Sequence, residues 1–162
     1  TKTSPYDIAG ALRMALADID LGGMHPALTV FQTWLEVADP INYGRYLVWR
    51  PFAPPPPRSV LMTYGLGDTY TPPATIANLA ATMGLAVAEP PLETIGFLDT
   101  APLPATANRN IGGVPVTVVL TQHAPAAGID GHFVATEDDT ARRRIGQFLG
   151  TAARDGVPTV VP

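Results

Sequence analysis

The chain has 162 residues, of which 46% are hydrophobic and 15% are charged, so it can form one domain with a packed core and is too apolar to be disordered. Its formal net charge of -4 argues against nucleic acid or an anionic membrane surface as the main partner, because both are bound by basic surfaces. It contains no cysteine, which excludes disulfides, thiolate metal sites and cysteine nucleophiles.

The sequence predicts neither a membrane span nor, in its opening residues, a signal peptide. No apolar run approaches the roughly 18 to 20 residues that a transmembrane helix needs, and the opening stretch TKTSPYDIAG has no signal-peptide character. Because the chain begins at Thr1 rather than at a methionine, we expect a further segment of the gene product to precede it.

Two helices are predicted in the first third of the chain. Apolar residues recur at helical spacing in residues 5–17 and again in residues 26–38. In the second helix Leu28, Phe31 and Leu35 share one face, and His25 is placed to cap its start. Because further apolar residues broaden this face, we expect the helix to be buried on more than one side; they are Val30, Trp34 and Val37. Residues 39–46 are typical of a turn and an irregular connection.

The remainder of the chain predicts two strand–loop–helix units. The first strand spans 59–66, and the helix after it takes Thr71 as N-cap and Pro72 as first residue and ends at Gly84. The second strand spans 114–121. A capping box of Thr136 and Asp139 begins the last helix, which runs to about Asp155. The residues expected on its apolar face are Ala141, Ile145, Phe148, Leu149 and Ala152.

Two such units in series predict an α/β fold with a parallel sheet. Two strands with few helices are too little for an independent sheet, so we expect the chain to be one flank of a larger one. Residues 85–113 are predicted to be an excursion, which either borders a substrate pocket or lies on the surface as a loop.

Asp68 and His132 are the strongest candidates for chemistry. Each follows a predicted strand and precedes a predicted helix, and the loops at the carboxyl ends of parallel strands form the sites of open α/β sheets. A carboxylate that orients an imidazole is the acid–base part of a hydrolytic triad. The alternative for Asp68 is a turn residue before the helix. Asp99 and Asp130 compete as the acid.

Other ionisable residues have structural explanations. His123, at the end of the second strand, is expected to be a core or hydrogen-bonding histidine rather than part of the site. The acidic residues Asp130, Glu137, Asp138 and Asp139 do not form an EF-hand pattern, and the last three suit a helix N-terminus. We therefore expect no metal and no cofactor.

Two stretches resemble the C-terminal part of an α/β-hydrolase of the bacterial lipase and esterase branch. VLMTYGLGDTYTPP resembles the acid loop after the penultimate strand of that fold, through Gly65, Asp68 and Pro72, and GHFVAT resembles the histidine loop after the last strand. HPALTVFQTWLEVADPINYGR resembles the segment before the acid strand in large secreted bacterial lipase-like proteins. The resemblance implies a helical cap or lid-side segment in 1–57 and the C-terminal portion of the hydrolase in 58–162.

The resemblance also implies an activity and a location. A serine hydrolase of this kind cleaves carboxylic esters, of lipids or of small molecules, and is secreted or held in the bacterial cell envelope. Asp68 and His132 would be its acid and base. The residues proposed to contact substrate are Phe97, Leu98, Leu103 and Phe133.

The nucleophile of the family is missing. The fold places its serine in a G-x-S-x-G elbow upstream of the acid, whereas Ser4 and Ser59 are the only serines and neither has flanking glycines. No oxyanion-hole loop is present either. We therefore expect a separate N-terminal polypeptide of the same hydrolase to supply the serine and the oxyanion hole.

Two other classes of function remain open at this point. Thr1 could attack as an N-terminal nucleophile, although such residues normally begin a strand and a helical, proline-bearing stretch follows here. Alternatively, the chain could be a hydrolase-like binding or scaffold module without catalysis.

Overall fold

The computed structural model describes residues 7–15, 25–52 and 56–162, which form a mixed α/β structure around a four-stranded parallel sheet. The helices are α1 (Ile8–Ala15), α2 (Pro26–Leu35), α3 (Gly44–Val48), α4 (Pro73–Met83), α5 (Val134–Glu137) and α6 (Asp139–Asp155). The strands are β1 (Val60–Gly65), β2 (Ala86–Ala88), β3 (Thr100–Ala101), β4 (Ala105–Thr106), β5 (Arg109–Ile111), β6 (Val114–Val116), β7 (Val118–His123) and β8 (Thr159–Val160). The expected α/β class is therefore confirmed.

The two strands that carry the candidate site lie side by side. The parallel sheet has the order β1-β7-β2-β3, and the register places Val60 opposite Val118 and Gly65 opposite His123. All six residues of β7 are buried, as a central parallel strand requires. In β1 the first four residues are only partly buried, because this strand has a described neighbour on one side alone.

The prediction of a single strand over 114–121 is wrong. Residues 114–116 form β6, which pairs antiparallel with β5 in a hairpin, and β7 begins only at Val118. Gly112 and Gly113 make the hairpin turn with φ of 60° and 88°, a conformation that favours glycine. The break falls at Thr117, whose N–H donates to Ser59 Oγ and whose hydroxyl donates to the carbonyl of Pro158.

The excursion over 85–113 contains strands rather than loop alone. β2 pairs with β7 and β3 pairs with β2, so this region adds two parallel strands to the sheet. The strand before Asp68 is consequently not the penultimate strand of the sheet along the chain, which departs from the order that the resemblance implies. β7, the last of the four, lies in space between β1 and β2.

Helices cover both faces of the sheet. Side chains alternate along β7, so that Val118 and Leu120 pack with α3 and α4 while Val119 faces the side where Phe148 of α6 packs. The first core cluster includes Val48, Tyr64, Ile76, Ala80, Met83, Leu85, Val87 and Val116. The second includes Ala88, Ala105 and Val160. Val48 lies in α3, which begins inside the connection expected over 39–46; a 3-10 turn over Pro40–Asn42 precedes it, in agreement with that expectation. The buried side chain of Val48 packs in the first core cluster.

The helix ends differ from prediction in two places. α4 ends at Gly84 in the left-handed conformation, as expected, but it begins at Pro73 with Pro72 as N-cap, one residue later than predicted. α6 has no capping box of Thr136 and Asp139: Asp138 caps it by accepting the Ala141 N–H at 2.6 Å. Thr136 instead donates its hydroxyl to the carbonyl of Phe133. Leu149, expected on the buried face, is exposed.

The predicted burial of the helix over 26–38 is wrong. The α-helix ends at Leu35 and a 3-10 turn follows over Glu36–Ala38, and no residue of either element is buried. Trp34 is 78% exposed. Other exposed apolar residues of this segment are Val30, Phe31, Leu35 and Val37. Helical periodicity correctly indicated an apolar face, which the described part of the chain leaves uncovered.

Candidate active site at the carboxyl end of the sheet

The candidate site is formed by the loops that follow β1 and β7. These strands end opposite each other at Gly65 and His123, so both loops begin at the same edge of the sheet. The Leu66 N–H donates to the carbonyl of His123, which extends the pairing by one bond beyond the strands. The chain then places Asp68 on one loop and His132 on the other.

Gly65 and Gly131 let the two loops pack with their backbones in contact. A Cβ at Gly131 would lie 2.5 Å from the carbonyl oxygens of Gly65 and Leu66 and 2.7 Å from the Asp68 nitrogen. Both glycines are buried, and neither has a positive φ. The requirement for glycine is therefore close approach between loops rather than turn geometry, which explains why a glycine precedes the acid and another precedes the base.

Asp68 and His132 meet as an acid–base pair. Asp68 Oδ2 lies 3.4 Å from His132 Nδ1, a long hydrogen bond of a length common at active sites before substrate binds. The other oxygen, Oδ1, accepts the N–H groups of Tyr70 and Thr71 at 2.8 and 2.7 Å. The Asp68 side chain is 7% exposed and the His132 side chain 41% exposed. A buried, oriented carboxylate thus faces one nitrogen of an imidazole whose ring reaches solvent.

Two aromatic rings flank the imidazole. Tyr70 stacks on His132 with ring centroids 4.6 Å apart, and Phe133 meets the imidazole edge to face at 5.2 Å. Tyr70 and Phe133 also contact each other. The stacking fixes the plane of the imidazole, while the aspartate fixes its rotation. Tyr70 was not among the predicted site residues, although its place two residues after Asp68 on the same loop is a signal that could have identified it.

The carboxylates of the two competing acids form no hydrogen bond with the imidazole ring of His132. Asp99 forms an ion pair with Arg109 at 2.7 Å, away from the imidazole. Asp130 Oδ1 accepts the backbone N–H of His132 at 2.8 Å, and its Oδ2 accepts the hydroxyl of Thr69 at 2.7 Å. The hydrogen bond from Thr69 is the main cause that lowers the pKa of Asp130 below its ordinary value. Of the three carboxylates, Asp68 alone takes the position of a triad acid.

Of the four residues predicted to contact substrate, the structure brings Phe133 to the acid–base pair. Phe97 is exposed, between β2 and β3. Leu98 packs against the first core cluster and Leu103 against the second. Both leucines therefore contribute to packing in the described structure.

His123 has a structural role, as predicted. It is buried, with Nδ1 3.1 Å from Asp138 Oδ1 and Nε2 3.0 Å from Thr121 Oγ1. A neutral imidazole satisfies both partners when Nδ1 donates to the carboxylate and Nε2 accepts from the hydroxyl. Burial lowers the pKa of His123, although the nearby Asp138 opposes that shift. This histidine joins β7 to the cap of α6.

His25 also has a structural role, as the N-cap of α2: its Nδ1 accepts the Ala27 N–H.

We expect acidification to weaken the fold through His123. Its pKa is 6.5 in the unfolded chain and lower in the folded one, so below about pH 6.5 the unfolded chain binds the proton first and the free energy of unfolding falls. Urea unfolding between about pH 7.5 and about pH 5.5 should show this slope, and His123→Asn should reduce it. An equal slope in both proteins would contradict the assignment.

Ser59 is at the wrong end of the sheet to be the nucleophile. It precedes β1, where its Oγ accepts the Thr117 N–H, whereas Asp68 follows the six residues of that strand. At about 3.3 Å per residue, the strand separates the two by roughly 20 Å. Ser4 and Thr1, the other candidate nucleophiles, lie outside the described residues.

Neither a metal site nor a membrane span is found in the part of the chain that the structure describes. Within 7–15, 25–52 and 56–162, no three His, Asp or Glu side chains converge to hold a metal ion. Over the same ranges no helix combines the length and apolar character that crossing a bilayer requires.

Comparisons with protein-family models, with curated proteins and with solved structures found no match for this chain.

Proposed function

We propose that this chain supplies the acid and the base of a Ser-His-Asp triad in a serine ester hydrolase. The observation that carries the proposal is the contact between Asp68 and Nδ1 of His132, at the carboxyl end of a parallel sheet, with the carboxylate buried and the imidazole partly exposed. In a triad the acid holds the imidazole in the tautomer whose Nε2 can accept a proton. The order of acid before base along the chain agrees with the resemblance to the lipase and esterase branch.

The chemistry follows from which nitrogen faces the acid. With Nδ1 directed at Asp68, Nε2 of His132 is the proton acceptor for a serine hydroxyl. The serine oxygen attacks the ester carbonyl carbon, and its proton passes to Nε2. The imidazolium then returns that proton to the departing alcohol, which leaves an acyl-enzyme. Water, deprotonated by the same nitrogen, releases the carboxylic acid and regenerates the serine.

The serine and the oxyanion hole come from a second polypeptide in this proposal, the N-terminal part of the same hydrolase. Two features of the described residues support a missing neighbour. β1 pairs with β7 on one side only, so its other edge can accept a further strand. The apolar face around Trp34 is exposed, and exposed apolar patches mark contact surfaces in soluble proteins.

The substrate is a carboxylic ester, of a lipid or of a small molecule. The resemblance supports this class, together with secretion or attachment to the bacterial cell envelope. The exposed ring of Phe133, beside His132, supplies an apolar surface next to the base. Such a surface suits the hydrocarbon part of an ester.

Labelling of the native assembly with a fluorophosphonate tests the proposal. We expect the label on a serine of a polypeptide other than this chain, because the probe reacts with a serine activated by an imidazole. The same assembly carrying His132→Asn should lose most of the labelling. Label on Ser4 or Ser59 of this chain, or no label on any serine, would refute the proposal; the second result would favour a non-catalytic module.

A further inference from the structure

A cluster of hydrogen bonds joins the acid loop to the histidine loop beside the triad residues. The carboxylate of Asp130 accepts the hydroxyl of Thr69 at 2.7 Å and the Thr69 N–H at 3.2 Å, across 61 residues of sequence. The same carboxylate accepts the His132 N–H at 2.8 Å. Thr69 directly follows Asp68, and Asp130 lies two residues before His132. The cluster is therefore only one residue away from Asp68 and two residues away from His132 along the chain, and it bonds directly to the backbone of His132.

We infer that Thr69 and Asp130 are positioning residues that hold the acid loop and the histidine loop in the register at which Asp68 faces Nδ1 of His132. We call these two residues the loop clasp. Its effect on the geometry of the pair is independent of catalysis, whereas its effect on hydrolysis rests on the proposed function.

The acid–base contact is longer than the hydrogen bonds of the clasp. Asp68 and His132 are 3.4 Å apart, whereas the Thr69 hydroxyl lies 2.7 Å and the Thr69 nitrogen 3.2 Å from the Asp130 carboxylate. Hydrogen bonds to an ionised acceptor are about twice as strong as neutral ones, so two short bonds to one carboxylate add to what the single long contact provides. These bonds favour the charged carboxylate, and the one from the Thr69 hydroxyl is the main cause that lowers the pKa of Asp130.

The packing of Gly65 against Gly131 sets how closely the two loops approach. It does not prevent them from sliding past each other, so other contacts must do so. Backbone atoms in van der Waals contact resist compression and have little directional preference. Hydrogen bonds to a carboxylate do have a direction. Thr69 contributes two of them to one carboxylate, from its hydroxyl and from its N–H, and so fixes the register that the glycines permit.

A purely local explanation of Asp130 accounts for one of its bonds only. Asp130 is the N-cap of the 3-10 turn Gly131–Phe133, and that role requires acceptance of the His132 N–H. The bonds from Thr69 are not needed for the cap. Replacing the Thr69 side chain therefore removes the shorter bond of the clasp, from the hydroxyl, and leaves both the Thr69 N–H bond and the cap in place, which separates the two roles of Asp130.

Thr69→Val in the 162-residue chain tests the clasp directly. Valine has the shape of threonine without the hydroxyl, and Thr69 is exposed, so the fold should persist. The measurement is the 15N chemical shifts of the His132 imidazole in a buffer alkaline enough to keep it neutral. In the native chain we expect the tautomer with the proton on Nδ1, facing Asp68. In Thr69→Val we expect a shift of at least half of the population, as a rough figure, to the Nε2–H tautomer.

The control variants are a rescue and a matched substitution. Thr69→Ser retains the hydroxyl and should restore the native tautomer. Thr75→Val makes the same chemical change at an exposed threonine in the first turn of α4, and it should have no effect. An unchanged tautomer in Thr69→Val, or an equal change in Thr75→Val, would overturn the inference.

Two further measurements keep the test decisive. The pKa of Asp130, followed by NMR of its carboxyl carbon, should rise toward 3.8 in Thr69→Val and not in Thr75→Val. Asp130→Asn should displace the tautomer in the same direction, and the double variant should add nothing, as expected for two residues acting as one unit. Additive effects would show that the residues act separately and would reject the clasp.

The clasp and the proposed function can fail independently. The tautomer measurement needs no serine, so a displaced tautomer together with absent fluorophosphonate labelling would keep the clasp and reject the triad. If both hold, Thr69→Val in the assembled hydrolase should lower kcat by about 10- to 100-fold with KM nearly unchanged, since the variant misplaces the base. If Thr69→Val lowered both kcat and the free energy of unfolding, and Thr69→Ser lowered both to the same extent, the effect would be structural. That result would contradict a positioning role.

Discussion

Replacement of His132 by asparagine is expected to lower kcat for ester hydrolysis in the assembled enzyme by about 10⁴-fold or more. Asparagine cannot take the proton of the serine at neutral pH, so the nucleophile remains a neutral hydroxyl. The His132 side chain is 41% exposed, so its removal should change the free energy of unfolding little. Initial-rate kinetics with an activated ester, alongside thermal unfolding, measure both quantities.

Asp68→Asn should lower kcat by a similar factor, of about 10⁴. The amide can donate a hydrogen bond to Nδ1, which places the imidazole proton on Nε2 and blocks acceptance from the serine. The matched control for His132→Asn is His25→Asn. This variant removes an imidazole at a position distant in sequence and retains a good N-cap for α2. Activity that survives His132→Asn or Asp68→Asn would be incompatible with the triad.

Gly131→Ala is expected to lower the free energy of unfolding by about 3 kcal/mol. The added Cβ would lie 2.5 Å from two carbonyl oxygens of the acid loop, and backbone atoms at that distance cannot rotate away as a side chain could. The loops must therefore separate. We also expect the Asp68–His132 contact to be lost, so the variant should lose activity under conditions where it remains folded. Urea unfolding measures the first effect and the His132 imidazole shifts measure the second.

Gly146→Ala makes the same chemical change as Gly131→Ala, but it is expected to raise the free energy of unfolding. Gly146 lies inside α6, where an added Cβ meets no atom within 4 Å. Alanine is favoured over glycine within a helix, so stability should rise by about 0.5 to 1 kcal/mol. If Gly131→Ala were as stable as the native chain, that result would contradict the close packing of the acid loop against the histidine loop at Gly131.

The sequence was sufficient to predict that Asp68 and His132 lie close together, because two physical rules apply one after the other. An uninterrupted apolar run with a glycine at its end identified β1, and the requirement for parallel strands to share an edge brought its loop toward that of β7. The second run predicted a strand over 114–121, which overlaps β7 but starts four residues too early and ends two residues before His123. In the stretch 114–121 valines occur on both sides of Thr117, and composition does not show where the hydrogen-bonding partner changes.

The short strands and the loop clasp could not be predicted in the same way. β2 is the three-residue stretch Ala86–Ala88 and β3 has two residues, too few for any period to be detected. Thr69 and Asp130 lie in polar loops and become neighbours only through the register of β1 and β7. The exposed helix α2 shows a further limit: an amphipathic pattern reveals which face is apolar and cannot reveal which polypeptide, if any, covers it.

The position of β7 between β1 and β2 has a consequence for how the chain folds. Val60 pairs with Val118 and Ala86 pairs with Val119, so until β7 has been synthesised β1 lacks its described partner strand and β2 can pair only with β3. The parallel sheet must then form through contacts distant in sequence, which is typical of high contact order and slow folding. During translation, β1 would leave the ribosome as an apolar segment without its described partner, and the strand that positions the histidine loop is also the one that joins β1 to β2 and β3.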